Sequence, residues 1–370
     1  MVRNPLIHVH IADIHFGCKV DPAEEYAILQ EQFLSRINKI RFDVLAIDGD
    51  LFDRKQPANS PAVFFAIRFI NQCIDMCVRR GGYLILISGT KSHDADQLVP
   101  LFDELVRRYP HNFHIVTGME FVYVNGYKIL CIPELYGKPS MYYESMLCDT
   151  YDMCFMHGTL VGGVYGASKE KLNSDREPVF SIDSFSGCRG PIIAGHVHKA
   201  MCLNSYMYYV SNPVRYHFGE EEPKGFGVCV SGDSGHYYQF VEIESFRYVT
   251  VKLEELKTND PDTIVRALDK MKASGIDFLR LDMSTVGPEF SQPTIAILEQ
   301  KFSQDPTVSI KKASLQPTVD TTPEIEEKYA DLGFLTDPRI SDMEKFVRYV
   351  NYCEKREFIT VDELKRILQS

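Results

Sequence analysis

The stretch Asp43-Val-Leu-Ala-Ile-Asp-Gly-Asp-Leu-Phe-Asp53 runs a strand-like apolar segment into a glycine and then into carboxylates. The same grammar recurs along the chain. Residues 6–11 lead into Asp13-Ile-His15, and residues 83–87 into Gly89-Thr-Lys-Ser-His93-Asp94. Residues 153–156 lead into His157-Gly158, and residues 191–194 into Gly195-His196-Val-His198. Polar groups at the carboxyl ends of strands converge on one crevice in an open α/β sheet. The glycines beside them permit the tight turns and close backbone approach that such a crevice needs.

Working outward, a further strand-like run covers residues 128–132, and helical periodicity covers residues 22–39, 61–79 and 97–108. Strand and helix alternate, which places the chain in the α/β class with sheets sandwiched by helices. From Tyr206 to Ile243, short tyrosine-rich runs punctuated by glycines predict antiparallel hairpins completing a second sheet. This domain should end near Ser245. Strands at 246–253, 278–283 and 308–312 with helices at 260–271 and 292–302 then form a small accessory unit. Residues 316–337, rich in Thr, Pro and acidic side chains, read as a linker. Beyond it, Ile340, Met343, Phe346, Val347 and Val350 share a helical face, and Thr360 to Glu363 has capping-box spacing. The tail is therefore read as two amphipathic helices, which either pack on the domain or dock a partner.

The 370 residues allow one large domain plus smaller ones. No apolar run reaches the roughly 20 residues of a membrane span, and the N-terminus lacks a signal-peptide pattern. The ten cysteines are irregularly spaced and form no Cys-x-x-Cys pair, which gives no support to a zinc ribbon or thioredoxin-like motif and argues against a disulfide framework. A cytoplasmic protein, neither secreted nor membrane-bound, is expected. The net charge of −11 argues against bulk coating of nucleic acid. Carboxylates that hold divalent cations would account for part of that imbalance.

Asp13, His15, Asp50, His157, His196 and His198 are the candidate metal ligands. Carboxylate and imidazole together suit Mn, Fe or Zn, and a carboxylate can bridge two metals about 3.5–4 Å apart. Asp50 is the natural bridge. A lone Asp-x-His is more often structural, but five such elements in order, each at a strand end, favour a site. His8 and His10, which alternate along the first strand, read as packing or surface residues.

This ordered set resembles the calcineurin-like metallophosphoesterase superfamily, whose fold is a four-layer α-β-β-α sandwich. Within it, Gly49 to Arg54, Ser211-Asn212-Pro213, Phe218-Gly219-Glu220 and Lys224-Gly225-Phe226 look like the SbcD branch, the nuclease subunit of double-strand-break repair. The motifs cover roughly the first 230 residues. The resemblance implies a nuclease domain at 1–245, a small α/β cap domain at 246–315, a linker at 316–337 and a helical C-terminal tail at 338–370. It also implies two divalent metals, most simply Mn, with Mg, Fe or Zn as alternatives. One would be held by Asp13, His15, Asp50 and His198, the other by Asp50, His157 and His196. His93 would protonate the leaving oxygen, Asp94 would orient His93, and Asp53 would support its loop. The implied partners are DNA, a second copy in a homodimer, and an SMC-like ATPase of the SbcC type docking on the tail.

The chain departs from the superfamily at the third motif. Gly-Asn-His-Asp is replaced by Gly89-Thr90-Lys91-Ser92-His93-Asp94, with two extra residues and no asparagine ligand. Ser92 stands in the aligned slot, and its hydroxyl or a water is expected to complete the second metal's shell; the alternative is that the change marks a divergent, phage-type subfamily. Three functions follow. The first is a DNA exonuclease with endonuclease activity in repair or recombination. The second is a phosphatase or nucleotide phosphodiesterase using the same site, since one fold hosts many substrates. The third is a scaffold subunit with a degraded metal centre, for which the altered motif is the only support.

Overall fold

In a computed structural model of the protein, the residues described are 3–163, 178–285, 288–312, 340–341, 343–345, 347–348, 351 and 360–362. The first sheet is built from β1 (Leu6–Ile11), β2 (Val44–Asp48), β3 (Tyr83–Ile87) and β4 (Phe113–Val116), all mutually parallel. The second contains β5 (Glu120–Val124), β6 (Tyr127–Ile132) and β7 (Met153–His157). A two-stranded pair, β8 (Thr159–Leu160) and β9 (Val179–Phe180), stands apart. The second sheet is then extended by β10 (Ile192–Gly195), β11 (Met201–Asn204) and β12 (Met207–Tyr209), giving the order β11-β12-β10-β7-β6-β5. The final hairpin, β13 (Lys224–Gly232) with β14 (Gly235–Ile243), does not join the second sheet as expected. It pairs antiparallel with β1, so the first sheet reads β14-β13-β1-β2-β3-β4. Local sequence marks a hairpin but carries no signal for which edge receives it.

Side chains alternate between faces along each central strand. On β2, Leu45 and Ile47 enter a core with Phe33, Phe69, Ile70 and Phe102, the last three from the helices Pro61–Arg80 and Leu98–Arg108. Val44 and Ala46 point the other way, into a core shared with Ile129, Phe155 and Ile193 of the second sheet. That sheet's opposite face, through Leu130, Cys154, Met156 and Ile192, packs against Tyr143 and Leu147 of the helix Ser140–Leu147.

Pro61–Arg80 shows why the crossovers form. The Ser60 hydroxyl accepts from the Val63 amide, Pro61 occupies the first turn, and Gly81 closes the helix in the left-handed region. By length and composition this helix is apolar enough to cross a membrane. Here it links the parallel strands β2 and β3, and half of its most apolar window is buried in the protein. The first expected helix, at 22–39, is Pro22–Ile28 continued by a π-helical segment, Leu29–Leu34, and a last turn, Ser35–Ile37.

The first compact unit spans Met1–Lys311. Within it, β15 (Tyr248–Lys252), β16 (Phe278–Met283) and β17 (Val308–Lys312) form a separate sheet. With Pro261–Ala273 and Pro288–Phe302 it encloses its own core around Leu268, Leu279, Leu281 and Leu298. Phe246 at its entry packs with Val20, Val214 and Tyr216, tying this sheet to the larger part of the same unit. The linker and most of the helical tail, including Phe346, Val350, Glu363 and Leu364, lie outside the described residues.

Candidate metal centre

The candidate ligands stand on the carboxyl ends of parallel strands from both sheets. Asp13 and His15 follow β1, Asp50 follows β2, His157 ends β7, and His196 and His198 follow β10. Backbone bonds lock the loops together: the Asp13 amide donates to Gly49 O at 3.0 Å and the His15 amide to Asp50 O at 3.0 Å. The sheets are joined here too. The Asp13 carboxylate accepts from the His196 amide at 3.0 Å, and His157 Nδ1 lies 2.7 Å from Asp48 O. A Cβ at Gly49 would run into the His157 ring, and one at Gly89 into Asp50, so both close approaches require glycine.

Asp13, His15, Asp50, His196 and His198 all have positive φ, between 52° and 104°. Among the described residues only Asn125 and Lys257 join them outside glycine. Each such conformation costs of order 1–3 kcal/mol, and such residues concentrate where function holds them.

Three donor triads result: Asp13 with His15 and His198, His15 with Asp50 and His93, and Asp50 with His157 and His196, the donor atoms of each lying within 4.8 Å of one another. His15 Nε2 lies 2.8 Å from His198 Nε2 and 3.9 Å from Asp50 Oδ2, so His15 and Asp50 link the three groups. Asp50 Oδ2 is 3.2 Å from His157 Nε2 and 2.7 Å from His93 Nδ1, while Oδ1 accepts from the Thr90 amide at 2.6 Å. Burial would raise the Asp50 carboxyl, but His157 and His93 outweigh it and hold it well below the usual carboxylate range. Burial pushes Asp13 up to about 8, with Asp50 adding to the effect. Burial also lowers His15 to about 4 and His198 well below the ordinary imidazole value, which leaves both rings neutral and able to ligate. The donor set, carboxylates and imidazoles enclosed together, suits divalent cations.

Three features go beyond or against expectation. Ser92 is exposed, whereas Thr90 is buried and sets its hydroxyl 3.2 Å from Asp50 Oδ2 and 3.4 Å from His157 Nε2. The two extra residues bulge Ser92 outward, so the hydroxyl that faces inward is not the one in the aligned slot. Asp94 braces two ligand loops: its carboxylate accepts from the amides of Gly89 at 2.8 Å, Asp50 at 3.1 Å and Phe52 at 3.1 Å. The third is Glu134, which no sequence motif singles out. It stands beyond β6, buried, with Oε2 3.5 Å from His157 Nε2 and 3.4 Å from His196 Nδ1. A signal for it exists: Asp13, Asp50 and Glu134 each lie two residues past the last residue of a strand.

The stretch at 211–226 also acquires a role. Lys224 Nζ donates to His198 O at 2.9 Å and Asn212 Oδ1 at 2.7 Å, and pairs with Glu220 at 3.1 Å. The Ser211 hydroxyl donates to His198 O as well. Asp53 ties its own loop, its amide donating to Phe16 O and its carboxylate accepting from Arg54.

No family model matches the chain. Among curated proteins, the SbcD subunit of the nuclease SbcCD from Staphylococcus saprophyticus is 22% identical over 350 residues, covering 85% of this chain and 90% of that protein. Among solved structures, TT1561 of Thermus thermophilus is 11% identical, with a TM-score of 0.34 over 57% of this chain and 90% of that one. Another crystal structure is 13% identical, with a TM-score of 0.41 over 65% of this chain and 100% of that one. The chain is thus a distant homologue of the SbcD nuclease subunit.

Proposed function

We propose that the chain is a metal-dependent DNA nuclease that hydrolyses phosphodiester bonds. Its scaffold on this reading is a four-layer α-β-β-α sandwich, with residues 246–312 as a small α/β cap. The observation that carries the proposal is the set of three donor triads linked through Asp50 and His15. The distant homology to a nuclease subunit, extending over most of both chains, supports the choice of substrate class.

Asp13, His15, Asp50 and His198 would hold one cation, and Asp50, His157 and His196 the other, with Mn the favoured metal for a mixed carboxylate and imidazole set. Two divalent cations held by these residues would supply the positive charge that favours water activation and departure of the leaving oxygen. The protein supplies the rest. Asp94 and the glycine turns fix the ligand loops, and Asp50 is held ionised. His93, its side chain 15% exposed, is the group on the solvent side suited to give a proton to the departing oxygen. A pocket lined by Lys91, Lys138 and Tyr136 opens beside Glu134 and Gly89 and offers cations to flanking phosphates.

On this reading the chain works as a homodimer with an SMC-like ATPase of the SbcC type in DNA repair or recombination; similarity to a subunit of SbcCD supports the SbcC-type partner. On the same reading the protein works in the cytoplasm.

The experiment that tests the substrate class compares Mn-supported hydrolysis of linear duplex DNA, circular single-stranded DNA and a small phosphodiester by the purified protein. Cleavage of DNA is the expected result. Hydrolysis of the small ester alone would replace the nuclease reading with a phosphodiesterase one, and no hydrolysis of any substrate would favour a scaffold.

A further inference from the structure

Around Asp50, His157 and His196, the asparagine that the superfamily pattern would supply is missing, and Ser92 is turned to solvent. Glu134 reaches the same place from the adjacent strand of the second sheet. Its side chain is almost wholly enclosed, and the ion-pair partners of its carboxylate among the described residues are both imidazoles, His157 and His196. The Thr90 hydroxyl donates to Oε2 at 2.9 Å while also standing 3.2 Å from Asp50 Oδ2. The second oxygen, Oε1, is buried with no hydrogen-bond partner among the described residues. A buried carboxylate oxygen left unbonded costs free energy that a bound cation removes, as does a hydrogen-bond donor or protonation. No ion pair joins it to a lysine or arginine among the described residues, and Lys91 and Lys138 line the same pocket without pairing with it.

We propose that Glu134 takes the place of the missing asparagine and completes the second cation position with Asp50, His157 and His196, with Thr90 holding its carboxylate in line. The proposal rests on the metal-centre reading above. A carboxylate in place of a neutral amide adds a negative charge to that position and favours a hard divalent cation such as Mn.

The test is Mn binding to the intact protein, followed by isothermal titration and by electron paramagnetic resonance, which separates a spin-coupled Mn pair from isolated ions. Wild-type protein should take up two Mn per chain and show the coupled signal. Glu134→Ala should retain one ion and lose the coupling. Glu134→Gln, which keeps the shape and loses the charge, should weaken the second site by at least about tenfold, so the test stands even where the alanine variant misfolds. Ser92→Ala should bind like wild type. Two coupled Mn at wild-type affinity in both Glu134 variants would overturn this assignment while leaving the metal centre standing. A wild-type protein that binds no Mn would overturn both.

Discussion

Lys224 is 1% exposed, an unusual place for an ammonium group. Burial lowers its pKa, yet Glu220, the Asn212 carbonyl and the His198 carbonyl meet its donors. Its task is to hold the backbone of a candidate ligand. Replacing it with methionine keeps much of the volume but strands Glu220 as a buried charge, and breaking such a pair costs about 3–5 kcal/mol. Lys224→Met should therefore lower the urea midpoint of the protein by a corresponding amount and reduce Mn uptake. An unchanged midpoint would show that the pair carries no structural load. At this scale the sequence is informative about identity and poor about direction. Asp13, His15, Asp50, His157, His196 and His198 are legible because each follows a strand-like run, and the structure gathers them. Thr90 and Ser92 are easily confused because two inserted residues shift a loop without changing its composition. Glu134 escapes notice because a lone glutamate after Ile132 and Pro133 matches no familiar motif.

The first strand makes the same point for elements. Its alternating His8 and His10 read as packing or surface residues, and both are fully buried between the sheets against Phe155. They form a relay: Ser231 Oγ lies 2.8 Å from His8 Nε2, His8 Nδ1 lies 2.6 Å from His10 Nε2, and His10 Nδ1 lies 2.6 Å from Asp48 Oδ2. Burial keeps both rings neutral, His10 down at about 3. Such a network is stable in an apolar core because each member meets a polar partner. Nothing in the period-2 pattern of a strand distinguishes a histidine facing solvent from one facing a second sheet, since that depends on which surface covers it. The central strands, by contrast, are legible to within a residue or two, because an apolar run bounded by glycine leaves little choice. The β4 and β5 strands are not, since 113–116 and 120–124 are short and mix polar with apolar side chains.

Across the molecule, the α/β class follows from alternation, and the position of the candidate site follows from strand polarity. Carboxyl ends of β1, β2 and β3 meet those of β6, β7 and β10, so two sheets contribute to one centre. The net charge of −11 is partly the charge of those carboxylates and need not repel DNA once cations are bound. The proposed ATPase partner belongs to this scale as well. Deleting residues 338–370 should leave hydrolysis of small substrates intact and abolish association with an SbcC-type ATPase in a pull-down. Retained association would place the docking surface elsewhere.

The measurement that bears most directly on the account is Mn-supported cleavage of linear duplex DNA by wild-type and Asp50→Asn proteins, because Asp50 alone belongs to both candidate cation positions. The account predicts cleavage by the wild type and its loss, by two or more orders of magnitude, in the variant, about 2.7 kcal/mol or more of lost transition-state stabilisation. Equal cleavage by the two proteins would contradict it.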